Sequence, residues 1–208
     1  MRYYVESDGR VFLVDRDGML DLPKPEELPF AVDRIAPLPA APDDVWFCVP
    51  QLDGHPEEWP LKDDLVDRHD VSAAVRRAVH ASMPRVVVEG VCVDDADRVL
   101  LVKGSRGFTT GRWTLPGGFL RFGETPADGL LREVREEIGV EAHIEELLDV
   151  RGKLGVGSRL HWIMVFYRIR ILGEPVPDPD EIAEVRYFPR ADAVERLDCQ
   201  MSEVVRSL

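Results

Sequence analysis

Gly118-Phe-Leu-Arg-Phe-Gly-Glu124-Thr-Pro-Ala-Asp-Gly-Leu-Leu-Arg132-Glu133-Val-Arg-Glu136-Glu137-Ile-Gly139-Val140 is the stretch that decides both fold and chemistry. Thr125 suits an N-cap, Pro126 the first helical position, Asp128 a variant capping box, and Gly139 a left-handed C-terminal position. The spacing therefore predicts a helix over 126–138. At about 100° per residue, Glu133, Glu136 and Glu137 share one arc, and Leu130, Leu131, Val134 and Ile138 share a neighbouring one. One face packs and the other presents acid. Like charges at i, i+3 and i+4 repel by roughly 0.2–0.5 kcal/mol per pair, a cost that helix propensity does not repay. A hard cation relieves it. A donor set made of oxygen alone suits Mg²⁺ or Mn²⁺ rather than metals that seek imidazole or thiolate.

The rest of the chain offers no rival metal site. The cysteines, Cys48, Cys92 and Cys199, are widely spaced and lie in or beside apolar stretches, so they read as reduced, buried thiols. The histidines, His55, His69, His80, His143 and His161, form no pair at ligand spacing.

Net charge is −13 over 208 residues. Residues 1–84 carry 9 Lys and Arg against 17 Asp and Glu, a net −8 that repels a phosphate backbone and argues against nucleic acid as a partner. The longest apolar run, Trp162–Tyr167, is far below the roughly 18–20 residues of a spanning helix, and Met1–Arg10 lacks the order of a signal peptide. A cytoplasmic protein with no membrane partner is the expectation.

Outward from the central helix the texture divides near Pro84. Arg2–Glu6 and Arg10–Asp15 flank Asp8-Gly9, a hairpin signal. Prolines at 23, 25, 29, 37, 39 and 42 suit an extended linker or wrapping arm and forbid a helix. Val45–Val49 reads as a strand, and Leu61–Met83 as a helix ending before Pro84. From Arg85 onward, Val86–Val93, Val99–Val102, Leu160–Ile171 and Glu184–Phe188 read as strands and Arg190–Leu197 as a closing helix. Mixed strands around one strong helix give an α/β or α+β class. The expected organisation is a 1–84 extension followed by an 85–208 domain.

The quoted stretch resembles the Nudix hydrolase family, whose pattern is Gly, five residues, Glu, seven residues, Arg-Glu-aliphatic-any-Glu-Glu-any-Gly-aliphatic. Gly118, Glu124, Arg132, Glu133, Val134, Glu136, Glu137, Gly139 and Val140 satisfy every fixed position. The resemblance covers about 85–198. It implies a mixed β-sheet sandwich flanked by helices and metal-dependent hydrolysis of a pyrophosphate bond in a small nucleotide. It also implies Glu133, Glu136 and Glu137 as metal ligands, the Gly117 carbonyl on the same ion, and Arg132 and Glu124 holding the carboxylates in place. Glu133, Glu137 or Glu181, which precedes the final strand, could act as base, since family members differ in that residue. Lys103, Arg106 and Arg112, among glycines just before the box, could meet phosphates. Trp113 and Phe122 suit core positions more than ligand contacts.

ADP-ribose or a nucleotide sugar, a nucleoside triphosphate, and a non-hydrolytic nucleotide sensor are the readings kept open. The intact glutamates favour catalysis over sensing. Leu154–Ser158 shows neither the proline of typical ADP-ribose enzymes nor the tyrosine of dinucleoside polyphosphate enzymes. Residues 1–84 could mediate a homodimer or close over the cleft.

Overall fold

The computed structural model describes residues 1–38, 44–154 and 160–208, which form two compact units, 1–84 with 154–161 and 85–153 with 162–208.

The first unit begins with the expected hairpin, β1 (Arg2–Ser7) and β2 (Arg10–Phe12), turned at Asp8 and Gly9, both at positive φ. A second hairpin follows, β3 (Val14–Arg16) and β4 (Met19–Asp21), turned at Asp17-Gly18. The Pro-rich stretch is not a free linker. After one 3-10 turn at Pro25–Glu27 it forms β5 (Val32–Leu38), which pairs antiparallel with β6 (Val45–Pro50) in a sheet ordered β2-β1-β6-β5. Pro37 is tolerated because β5 is an edge strand; Pro39 and Pro42 lie outside the described residues. The predicted 61–83 helix is also shorter. A 3-10 turn covers Asp64–Val66, Val71 bridges to Leu20, and only then does Ser72 cap α1 (Ala73–Ser82), accepting from the Val75 N–H. Tyr4, Leu22, Leu65, Val71, Val75 and Val79 pack into this unit's core.

The second unit holds two sheets, ordered β10-β7-β12-β11 and β13-β8-β9. Their strands are β7 (Arg85–Val91), β8 (Arg98–Gly104), β9 (Trp113–Thr114), β10 (Gly117–Phe119), β11 (Glu141–Leu154), β12 (His161–Leu172) and β13 (Ile182–Pro189). β7 runs parallel to β12 and antiparallel to β10. Side chains alternate between two cores, as the period of two requires. Val88, Leu100, Val102 and Val165 pack with α2 (Pro126–Ile138), whereas Val87, Leu101 and Phe166 pack with α3 (Arg190–Arg196) and α4 (Cys199–Arg206). The expected mixed sheets flanked by helices are thus present.

α2 has the bounds its punctuation dictates. The Thr125 hydroxyl accepts from the Asp128 N–H, Pro126 opens the helix, and Gly139 closes it at φ 67°. Leu130, Val134 and Ile138 are fully buried, each contributing roughly 1.5–3 kcal/mol. α4 lies beyond the last expected helix. Cys199 is its first residue and is exposed, so the expectation that all three cysteines are buried holds for Cys48 and Cys92 only. No helix among the described residues is long and apolar enough to cross a membrane.

Candidate active site

Three elements converge around α2. β7 supplies Glu89, β10 supplies Gly117 and Gly118, and the turn before the helix supplies Arg121 and Glu124. Gly117 has φ 150°, and a Cβ there would lie 2.0 Å from the Val88 carbonyl oxygen, so only glycine fits. A Cβ at Gly118 would meet the Glu133 carboxylate at 2.7 Å. Gly117 thus lets β10 lie close against β7, and Gly118 lets it pass close under Glu133.

Arg132 organises the carboxylates. Its Nε and Nη2 donate to Glu124 Oε1 and Oε2 at 2.5 and 2.9 Å, its Nη1 to Glu133 Oε1 at 2.6 Å and Glu136 Oε2 at 2.9 Å, and its Nη2 also to the Phe119 carbonyl at 3.0 Å. This fork holds Glu124 down to about 2, with the Arg121 N–H adding to the effect. Arg121 Nη2 reaches both oxygens of Glu136 at 3.0 and 3.1 Å. Glu137 turns the other way and accepts from the Gly117 N–H at 2.9 Å. Burial pushes Glu137 up to about 8, opposed by that N–H and reinforced by Glu133, Glu181 and Glu136. Burial also raises Glu133.

The box glutamates therefore share one side of α2, as the periodicity requires, but two are tied to Arg132 and one to Gly117. Among the described residues no group of three or more His, Cys, Asp or Glu is gathered as a ready-made metal cage. The donor chemistry nevertheless fits a hard cation. Every candidate ligand is oxygen, and burial raises both Glu133 and Glu137, a desolvation cost that a bound cation would offset.

The other expected residues divide. Glu181 forms an ion pair with Arg106, and its carbonyl accepts from the Ser105 N–H at 2.8 Å, which joins the loop after β8 to the loop before β13. Its field contributes to the shift of Glu137. Lys103 pairs with Glu184 at 3.1 Å and lies over the Trp113 ring, so it contacts none of the box glutamates. Arg112 is exposed, with no side-chain hydrogen bond or ion pair among the described residues. Trp113 packs against Phe188 with ring centroids 4.8 Å apart, as expected of a core residue. Phe122 does not. It is fully exposed, because the turn at Gly123 (φ 84°) projects it away from the domain.

Glu89 was not foreseen as a site residue. It is 6% exposed on β7, directly opposite Gly117, and among the described residues its Oε2 has no hydrogen-bond partner. Burial, and then the charge of Glu137, hold its carboxyl well above the usual range. Its signal in the sequence is a single acid directly after the apolar run Val86–Val88. With Glu137, Phe108, Phe119, Lys153 and Trp162, Glu89 lines a cleft of about 180 Å³.

Fold and site together define an α+β protein built around a carboxylate-rich helix. Residues 83–208 match the NUDIX domain, and the chain belongs to that family. It is 30% identical over 105 residues to an ADP-ribose pyrophosphatase of Methanocaldococcus jannaschii, covering 50% of this chain and 62% of that protein. The crystal structure of a MutT NUDIX hydrolase from Burkholderia pseudomallei is similar with a TM-score of 0.56 and 28% identity, over 61% of this chain and 99% of that one. The NUDIX domain of Shewanella oneidensis NrtR, solved with ADP ribose, is similar with a TM-score of 0.52 and 25% identity, over 61% of this chain and 88% of that one. The chain spans less than two thirds of the length of the first curated relatives it matches. Nudix hydrolases as a class use divalent metal ions.

Proposed function

We propose that this chain hydrolyses the pyrophosphate bond of a nucleoside diphosphate joined to a second moiety, with ADP-ribose as the leading candidate. The observation that carries the reading is the Arg132 fork, which fixes Glu124, Glu133 and Glu136 in a single arrangement beside a cleft. The similarity to an ADP-ribose pyrophosphatase and to a domain solved with ADP ribose supports the substrate.

Glu133, Glu136, Glu137 and the Gly117 carbonyl would hold a divalent cation, Mg²⁺ or Mn²⁺, whose chemistry there is to screen phosphate charge and acidify water. Arg132 positions the carboxylates and Glu124 positions Arg132. A water oxygen bonds to phosphorus, the bridging P–O bond breaks, and the water proton passes to a carboxylate. Glu137, held up near neutral pH by burial, and Glu181, which forms an ion pair with Arg106, are the candidate bases. Arg106 and Arg112 are exposed cations within the segment just before the box, suited to phosphate oxygens. Lys103 would serve only after leaving Glu184.

The absence of a gathered carboxylate cage among the described residues favours one second reading, a nucleotide-binding protein without turnover. Product analysis over ADP-ribose, nucleotide sugars, dinucleotides and nucleoside triphosphates with Mg²⁺ or Mn²⁺ separates the two. Cleavage of ADP-ribose to AMP and ribose 5-phosphate is expected. Binding without products would establish the second reading, and cleavage of triphosphates alone would replace the substrate. We further propose that residues 1–84 form an extension to this domain that pairs two copies of the chain, a state that chromatographic mass with and without the segment would reveal.

A further inference from the structure

We propose that Phe108, Phe119 and Trp162 form a stacking platform for a flat ring, so that the chain recognises a pyrophosphate by the nucleobase attached to it. The inference rests on the reading of the chain as a pyrophosphohydrolase and names the residues that would confine it to nucleotides.

The strand that carries Phe119 also carries the glycines of the site. Side chains on β10 alternate, so Gly118 faces Glu133 while Gly117 and Phe119 share the opposite face. Phe119 pairs with Val87, Val87 pairs with Met164, and Trp162 lies two residues before Met164 on the same face. Phe108 reaches them from the 3-10 turn at Gly107–Thr109. The rings of Phe108 and Phe119 have their centroids 5.7 and 5.4 Å from that of Trp162. All three line the cleft of about 180 Å³, a volume for one ring system, since pockets for whole drug-sized ligands run to roughly 300–1,000 Å³.

Exposure separates this cluster from ordinary core. Phe108 stays 64% exposed and Phe119 46%, although both touch Trp162. Apolar surface left open beside a cleft marks a place where a ligand docks. Its position then says which ligand. Phe119 lies two residues from Gly117, about 6.8 Å along the strand, and the Gly117 N–H donates to the Glu137 carboxylate. A ring on the platform therefore stands about one sugar away from the acidic side of α2, where the phosphates of a nucleotide would sit. A nucleobase stacks through its π-face, which every base has and ribose lacks. The platform thus selects for the ring rather than for one particular base. A pyrophosphate without a ring loses this part of its affinity.

The test is calorimetric binding to the full chain, in buffer with Mg²⁺, of AMP, UMP and ribose 5-phosphate. Both nucleotides are expected to bind roughly fivefold to a hundredfold more tightly than ribose 5-phosphate, the range for one stacked base. The double variant Phe108→Leu with Phe119→Leu keeps apolar bulk at two exposed positions and removes both rings. It should bring AMP and UMP toward ribose 5-phosphate, whose own affinity should hold. Phe119→Tyr keeps a ring and should keep the preference. Nucleotides no tighter than ribose 5-phosphate, no binding of any of the three, an undiminished preference in the double variant, or its loss in Phe119→Tyr would each overturn the proposal. A lower chromatographic mass of the double variant with AMP affinity unchanged would overturn it too, by assigning the rings to a contact between copies of the chain. None of the three ligands holds a pyrophosphate bond, so the result is independent of turnover. Ring-dependent binding with no hydrolysis of any substrate would contradict the enzymatic reading and leave the platform standing, and hydrolysis of ADP-ribose with ring-independent binding would do the reverse.

Discussion

Arg132 holds Glu124 through two of its nitrogens, Nε to Oε1 at 2.5 Å and Nη2 to Oε2 at 2.9 Å, while its remaining nitrogen spans Glu133 and Glu136. One planar group thus sets the direction of three carboxylates, and a lysine cannot imitate it because an ammonium lacks the fixed fork. Arg132→Lys should lower kcat by about tenfold to a hundredfold, the usual cost of losing a partner behind a ligand, with the circular dichroism spectrum unchanged. Unaltered kcat in that variant would mean that the fork is only structural.

Gly118 sits where an added methyl group would stand 2.7 Å from the Glu133 carboxylate, the end of a flexible side chain. Gly118→Ala should therefore fold and lose activity as Glu133 is displaced. Gly117→Ala meets backbone instead, at 2.0 Å from the Val88 oxygen, and should destabilise the domain by about 1–3 kcal/mol or more. Thermal melts beside activity assays separate the two. Equal melting losses in both variants would contradict this account of the glycines.

How much of this was legible in the sequence follows from the range of each interaction. α2 could be read because Thr125, Pro126 and Gly139 act within one turn of themselves, and its acidic side follows from period alone. α4 is marked by the same kind of signal, with Asp198 as cap and Met201, Val204 and Val205 on one face, and it lies past the helix expected to close the chain at Leu197. Glu89 could not be given a role locally. Its position depends on pairing with Gly117, 28 residues later, and with Phe166 beyond that. The same holds for β5, where pairing with β6 overrode the extended-arm reading that the prolines suggested. The subtype reading at Leu154–Ser158 rests on sequence alone, because 155–158 lie outside the described residues.

Glu137 gives a pH prediction. Its carboxyl is raised from 4.5 to about 8 in the metal-free chain, so the folded state keeps its proton where the unfolded state has lost it. Stability from this group is complete below about pH 4.5 and is lost as pH rises toward 8. A cation that takes Glu137 as ligand must displace that proton. Affinity for Mn²⁺ should therefore rise with pH through neutrality, with protons released on binding, as calorimetry in buffers of different ionisation enthalpy would measure. Metal binding with no proton release would remove Glu137 from the ligand set.

Glu124 titrates in the opposite sense. Because Arg132 holds it down to about 2, its contribution to stability is present above its ordinary 4.5 and is lost as pH falls toward 2. Glu124→Gln should narrow the stability gap between pH 5 and pH 3 relative to the parent chain in urea unfolding. An identical acid profile in the two proteins would show that the ion pair contributes nothing to the fold.

The central claim is that the acidic side of α2 carries the reaction. The most direct measurement is Mg²⁺-dependent hydrolysis of ADP-ribose by Glu136→Gln and Glu137→Gln beside the parent chain, with melting curves for all three. Turnover should fall by orders of magnitude in both variants with the fold retained. Near-normal turnover in either one would contradict it.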